Sequence, residues 1–325
     1  LSLKGKREPV QAYELLKIKD RPLSVRGLDG LVSPLVGRDQ ESETLRDRLD
    51  GLEDQGGQIV TLTGEAGLGK SRLLAELQQW ARAGSAARWL EGRCIAYGQG
   101  LTYGPFLEVL RAACAVAERD TESQAGDKVR RRVEQLFPDR AAEVTPYLLN
   151  LLSLRLNVAE AERVRYLDPK PLKQQVFVAV RDFLVRLAEE QPLVIAFDDL
   201  HWADNSSLEL LHFVLEAAER APLLLLLVYR PEKELGCYRL GEAAQARFPQ
   251  RYTGIALDKL TPEEGNRLVD NLLTVADLPQ AVRDLILAKS DGNPFYLEEI
   301  IRSMMDSRLL VRDGDNWRAT AQVST

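Results

Sequence analysis

The stretch Gly64-Glu65-Ala66-Gly67-Leu68-Gly69-Lys70-Ser71 decides how the rest of the chain reads. It follows the apolar run Ile59-Val60-Thr61-Leu62-Thr63 and leads into Arg72-Leu73-Leu74-Ala75-Glu76-Leu77. Strand, glycine-rich turn and helix, at the spacing G-x-x-x-x-G-K-[ST], predict a phosphate-binding loop. Gly64, Gly67 and Gly69 allow a tight backbone turn that aims N–H groups at phosphate oxygens, at the positive end of the next helix. Lys70 supplies a mobile positive charge for the β- and γ-phosphates, and the Ser71 hydroxyl is a Mg²⁺ ligand. The plain alternative is a glycine-rich turn before an ordinary helix, and the strand–loop–helix context weighs against it.

Outward from the loop, the sequence alternates strands with helices. Ala87–Gly92 reads as a second strand, and Pro105 opens a helix through Cys114. Residues 120–170 read as helical pieces broken at Pro138, Pro146 and Pro169, and Lys173–Glu190 as a long amphipathic helix. Leu193–Phe197 and Leu223–Tyr229 are continuous apolar runs, as expected of central parallel strands covered on both faces. Ser206–Arg220 is the helix between them, and Arg251–Leu257 the last strand. The pattern predicts an α/β fold, a parallel sheet sandwiched by helices with right-handed crossovers.

A phosphate loop holds phosphates; turnover needs a carboxylate on a second strand. Asp198, at the carboxyl end of an apolar strand, fits the Mg²⁺-organising acid, because ligands gather at that edge of such sheets. Asp199 beside it is the candidate to activate the attacking water, with helix capping as its alternative. Arg230 ends the next strand, where a guanidinium can contact the γ-phosphate; the alternative is a surface ion pair. His201, beside Trp202, reads as a hydrogen-bonded structural histidine rather than a catalytic one, and His212 as packing.

The chain has 325 residues, 45% hydrophobic and 28% charged, which is ordinary globular composition. Its formal net charge of −6 argues against a broad nucleic-acid-binding surface. The run Arg130-Arg131-Arg132 reads as a solvated helix face rather than a basic patch. Cys94, Cys114 and Cys237 are few, odd in number and widely spaced, which suggests reduced thiols in a cytoplasmic protein and no metal site. No apolar run is long enough for a membrane helix. The N-terminus lacks an initiator Met, as expected of a piece of a longer polypeptide.

Four segments follow from this reading: an N-terminal arm over 1–34, the ATPase-type unit over 35–258, a small helical lid over 259–306, and 307–325. In the lid, Thr261-Pro262-Glu263-Glu264 combines an N-cap, a first-position proline and first-turn acids, with helices expected near 262–273, 279–289 and 294–306. Leu309–Arg318 reads as a β-hairpin around Asp313-Gly314-Asp315, the start of a further domain for which winged helix is one reading.

Several of these motifs together carry a family resemblance. Leu35-Val36-Gly37-Arg38-Asp39-Gln40-Glu41, Gly64–Ser71, Leu193–Asp204, Tyr229-Arg230-Pro231-Glu232 and Gly292-Asn293-Pro294-Phe295-Tyr296-Leu297-Glu298-Glu299 occur in order. The combination resembles the STAND class of P-loop ATPases, of the AAA-like kind fused to class III cyclases and large bacterial transcriptional regulators. Separately, Leu3-Lys4-Gly5-Lys6-Arg7-Glu8-Pro9-Val10 resembles the last strand of class III cyclase domains.

The resemblance implies further roles. Val36, Gly37 and Arg38 correspond to an adenine-side motif, in which Asp39 replaces the usual Glu and is assigned no contact. Pro294 matches the G-x-P motif by which the lid touches nucleotide. The cofactor-binding set is then Val36, Gly37, Arg38, Gly64, Glu65, Ala66, Gly67, Leu68, Gly69, Lys70, Ser71, Arg72 and Pro294. The cofactors are ATP or ADP with Mg²⁺. The resemblance also implies slow hydrolysis by a switch with nucleotide-dependent self-association, and partner domains in the same polypeptide: a cyclase upstream and helical repeats downstream. A non-hydrolysing ADP-bound scaffold is the first alternative, and a ring-forming AAA+ motor the second.

Overall fold

The computed structural model describes residues 33–84, 87–96, 102–273, 278–313 and 316–320. The cyclase-like stretch Leu3–Val10 lies outside them. The first part of the chain gives α1 (Asp39–Asp50), α2 (Leu52–Gln55), β1 (Gln58–Thr63), α3 (Lys70–Gly84) and β2 (Arg88–Arg93). Five helices follow: α4 (Gly104–Ala113), α5 (Glu122–Leu136), α6 (Ala141–Leu151), α7 (Val158–Arg165) and α8 (Pro169–Glu190). Then come β3 (Leu193–Asp198), α9 (Asn205–Val214), β4 (Leu223–Tyr229), α10 (Gly236–Arg247) and β5 (Tyr252–Ala256). The last elements are α11 (Pro262–Leu272), α12 (Gln280–Ser290), α13 (Pro294–Asp306) and the hairpin β6 (Leu310–Asp313) and β7 (Asn316–Ala319).

Five parallel strands form one sheet in the order β2-β3-β4-β1-β5. The strand period of two divides their side chains between two cores. Ile59, Ile195, Phe197, Leu225 and Leu227 face α4–α6 and α8–α10, while Val60, Leu62, Val194, Leu224 and Leu226 face α1 and α3. Every residue of β3 and β4 is buried. Each Leu so enclosed contributes about 2 kcal/mol by leaving water. The register pairs Thr63 with Tyr229, and Arg93 with Asp198. The phosphate loop, Asp199 and Arg230 therefore all leave the same edge of the sheet.

Some sequence expectations shift. Pro146 lies inside α6 rather than breaking it. Its ring costs one backbone bond near the helix start, and burial of Val144, Leu148 and Leu149 offsets that loss. Pro169 opens α8. The expected helix Ser206–Arg220 is α9 followed by a 3₁₀ turn at Leu215–Glu219. His212 is exposed rather than packed, because α9 turns Ser207, Leu210, Leu211 and Val214 to the core instead. The arginine run is tied down by carboxylates: Arg130 pairs with the buried Glu160, and Arg132 with Glu190.

Helices α11–α13 enclose a separate core of Leu260, Leu268, Val269, Ile286, Leu297 and Ile301. Leu310 is buried in the same cluster and Trp317 packs against it. A two-stranded hairpin is marginal alone, and this one is stabilised by covering the helical core. Val36 packs there as well, linking the segment before α1 to helices α11–α13. Among the described residues, no helix is long and apolar enough to cross a membrane.

Candidate functional site

The site begins where β1 ends. Gly67 and Gly69 adopt φ of 86° and 96°, the left-handed region the tight loop requires. Lys70 opens α3, and its ammonium is buried against the loop, donating to the carbonyls of Gly64 at 2.6 Å and Glu65 at 3.0 Å. Burial, and after it the Arg230 guanidinium, pull Lys70 below the usual lysine value. Two strands away, Asp198 is 6% exposed. Its Oδ2 accepts from the Ser71 hydroxyl at 3.2 Å and its Oδ1 from the Asp199 N–H at 2.9 Å. Burial, then the neighbouring Asp199 charge, raise the Asp198 carboxyl above its ordinary range.

Asp199 sits at φ 57°, ψ 35°, an uncommon conformation for a residue with a side chain. It precedes the 3₁₀ turn Leu200–Trp202, yet its carboxylate caps nothing. That carboxylate instead lies 3.4 Å from the Arg93 guanidinium, on the β2 side of β3. Arg230 forms no ion pair among the described residues; its guanidinium lies over the Trp202 ring, 6.0 Å from the centroid. The His201 ring lies 5.0 Å from the Trp202 ring. Both His201 ring nitrogens are buried without a hydrogen-bond partner among the described residues. The structure thus departs from the expected hydrogen-bonded histidine: burial and then Arg230 hold His201 below its usual pKa, toward the neutral form.

The segment Val36–Arg38 is fixed to the loop by Arg38, which is 5% exposed. Its Nη2 donates to the carbonyls of Leu68 at 3.3 Å and Asp258 at 2.5 Å. Gly37 has φ 66°, and a side chain there would meet the Glu264 carboxylate. On the other flank Pro294 opens α13, and Asn293 before it donates to the Ala66 carbonyl at 2.9 Å. Arg72 pairs with Glu298 of α13 at 3.6 Å and donates to the Ser33 carbonyl. Val36–Arg38, Gly64–Arg72, Asp198, Asp199, Arg230 and Pro294 therefore gather round one loop.

These groups fit a phosphate chain with a divalent cation. Among the described residues no cluster of three or more His, Cys, Asp or Glu could hold a metal unaided. Mg²⁺ does not need one: it is held by one or two carboxylates, phosphate oxygens and water. Asp198 and Ser71, in contact with each other, could supply the protein share of such a site, and Lys70 a positive charge beside it.

The AAA ATPase domain family matches residues 34–228, a span that takes in the loop and both carboxylates. The chain belongs to that family. A curated relative of this ATPase domain, an uncharacterized protein of Rhizobium meliloti (strain 1021), is 28% identical over 307 residues, covering 92% of this chain and 28% of the relative. Adenylate cyclase type 10 of Rattus norvegicus is 22% identical over 322 residues, covering 95% of this chain and 19% of the cyclase. The chain thus spans less than a third of the length of either relative. Among solved structures, Drosophila ORC bound to DNA is 14% identical, with TM-score 0.49, over 93% of this chain and 66% of that one. A Signal Transduction ATPase with Numerous Domains (STAND) protein with a tetratricopeptide repeat sensor from Pyrococcus horikoshii is 12% identical, with TM-score 0.38, over 90% of this chain and 42% of that one. At that level of overlap neither structure bears on what this chain does.

Sequence reasoning missed Arg93, Asn293, Glu264 and Glu298. Arg93 alone carried a readable signal, as the last residue of a strand ending at the site edge. The other three matter through distances that only the folded chain shows.

Proposed function

We propose that this ATPase domain is a slow, Mg²⁺-dependent switch of the STAND class that binds ATP or ADP and passes its occupancy to attached domains. The observation that carries the reading is the contact between the Ser71 hydroxyl and the buried Asp198 carboxylate beside the Lys70 ammonium. A buried carboxylate with a raised pKa, next to a hydroxyl and an ammonium, is suited to a hydrated cation and phosphates.

In this reading the loop N–H groups and Lys70 hold the phosphates, and Ser71 and Asp198 hold Mg²⁺. The metal, when bound, neutralises charge on the β- and γ-oxygens. Asp199 takes a proton from the attacking water as its oxygen bonds to the γ-phosphorus and the bond to the ADP oxygen breaks. Arg230 contacts the γ-phosphate, while Val36–Arg38 and Pro294 flank the base and the lid side. A nucleotide shifts the arrangement of α11–α13 only by what it touches differently in each state, and Arg230 and Pro294 supply two such contacts. The cyclase relative supports a place within a longer signalling polypeptide, and the family resemblance adds a cyclase-type domain upstream of the chain and helical repeats downstream of it.

The test is the nucleotide released from purified protein, together with phosphate release by wild type and Asp199→Asn. Calorimetry should show that Lys70→Ala abolishes ADP binding, and Asp199→Asn should bind normally while hydrolysis slows by about 10²–10³-fold. Full turnover in Asp199→Asn removes the role of that acid. A non-hydrolysing, ADP-holding scaffold remains the second reading, favoured by one observation: Arg93 holds the Asp199 carboxylate from the β2 side, away from the loop after β1. Wild type that keeps ADP and releases no phosphate from ATP would establish it.

A further inference from the structure

Three consecutive peptides of the phosphate loop have their carbonyls held from outside. The Ala66 carbonyl accepts from Asn293 Nδ2 at 2.9 Å. The Gly67 carbonyl accepts from the Phe295 N–H at 3.3 Å. The Leu68 carbonyl accepts from Arg38 Nη2 at 3.3 Å. In a planar trans peptide the carbonyl and the next N–H point in opposite directions. Fixing these oxygens outward therefore turns the N–H groups of Gly67, Leu68 and Gly69 to the other side. None of those three N–H groups donates to a protein acceptor among the described residues. They stand as a row of preset donors.

Two of the three clamps belong to the start of α13. Asn293 is 7% exposed, and its Oδ1 accepts from Phe295 N at 3.0 Å, so one side chain caps the helix and grips the loop. One turn on, the buried Glu298 pairs with Arg72 and keeps the helix end in place. Asn293 uses both ends of its amide, and no other residue type of its size offers a donor and an acceptor in that arrangement.

We propose that Asn293 is a positioning residue for phosphate binding: from the lid, it orients the loop N–H groups that the phosphates use. This rests on the reading of the loop as a nucleotide site. A consequence is that phosphate affinity depends on the docking of α13. A lid that lifts releases the Ala66 and Gly67 carbonyls, lets the peptides rotate, and weakens the grip on the phosphates. Lid position and occupancy are thereby coupled through two hydrogen bonds to the loop, in addition to the contact proposed for Pro294.

The discriminating variant is Asn293→Asp. It keeps the acceptor that caps Phe295 N, loses the donor to Ala66 and adds a negative charge, so the neutral Asn293→Ala is needed beside it to separate the lost donor from the added charge. Calorimetry with inorganic pyrophosphate and with ADP should show affinity falling about tenfold or more for both. That is the scale of one hydrogen bond to a charged group. The fractional loss should be the same for the two ligands, since the altered contact serves the phosphates alone. The melting temperature should stay within about 2 °C of wild type. Asn293→Ala, which also removes the cap, is the second variant and should lose affinity too. Wild-type affinity in Asn293→Asp overturns the proposal and leaves the nucleotide site standing, as does a loss seen with ADP but not pyrophosphate. Wild type that binds neither ligand overturns the nucleotide reading and the proposal with it.

Discussion

Ser71 and Asp198 lie 127 residues apart in the chain, and the hydroxyl of one donates to the carboxylate of the other at 3.2 Å. Ser71 is the second residue of the helix after β1 and Asp198 ends β3, with β4 lying between those strands. The parallel sheet brings them together because β1 and β3 point the same way and end at the same edge. Open α/β sheets place their ligands at that edge for the same reason.

Asp198→Asn and Ser71→Ala should each remove the Mg²⁺ dependence of nucleotide binding while leaving metal-free binding close to wild type. Each loses one ligand of the proposed cation site but keeps Lys70 and the loop N–H groups. Titrating ADP with and without Mg²⁺ checks this, and a Mg²⁺ effect of wild-type size in both variants removes the assignment.

The raised pKa of Asp198 makes a stability prediction with a definite sign. A carboxyl whose folded pKa lies above its unfolded value of 3.8 favours the fold below that value, and the contribution is lost as pH rises through the folded pKa. At pH 7 the nucleotide-free protein therefore lacks the stability that the protonated Asp198 carboxyl contributes at low pH. Asp198→Asn should raise its melting temperature at pH 7 by about 2 °C, roughly the scale of 1 kcal/mol in a chain of this length. The gain should shrink as pH falls toward 3.8, where Asp198 protonates in both states. Thermal melts across that range, with an equal or larger gain at the acid end, would contradict it.

His201 gives a prediction of a different kind. Its two ring nitrogens are buried with no partner among the described residues, an arrangement that costs about 1–3 kcal/mol for each orphaned group. His201→Leu should therefore leave the nucleotide-free protein at least as stable as wild type. If the imidazole serves the neighbouring Asp199 and Arg230 during turnover, the same variant should slow phosphate release by about tenfold or more. A variant that is less stable yet hydrolyses normally would assign His201 to packing.

Much of this was legible in the sequence because it is written in local patterns. The loop spacing fixes Gly64–Ser71, and the apolar runs ending in Asp198 and Tyr229 fix β3 and β4 and the edge where the site forms. The side of each strand residue follows from the period of two, as with Leu226 and Leu227, which enter opposite cores. What was not legible depends on pairs distant in sequence. Nothing in Gly292-Asn293-Pro294 says that the Asn293 amide reaches Ala66, 227 residues earlier. The family resemblance singles out Arg38 in the sequence, but only the fold shows it buried and bonded to the carbonyls of Leu68 and Asp258. Pro146 and His212 were misread because proline and histidine carry local tendencies that burial around α6 and the facing of α9 override.

Gly67 and Gly69 allow the lid contact to be separated from loop strain. Both have positive φ, so an added methyl group costs roughly 1–2 kcal/mol of backbone strain at either position. Their surroundings differ. A Cβ on Gly67 would lie 2.5 Å from Asn293 Oδ1 and 2.8 Å from Phe295 Cβ, whereas one on Gly69 meets nothing within 4 Å. Gly67→Ala should therefore displace the start of α13, and Gly69→Ala should not. Amide exchange in the first turn of α13, at Phe295–Glu298, should quicken about tenfold in Gly67→Ala and stay near wild type in Gly69→Ala, with similar losses of melting temperature in both from the shared strain. Equal exchange in the two variants would mean that Gly67 is needed for the loop's own turn and that α13 rests on it only loosely.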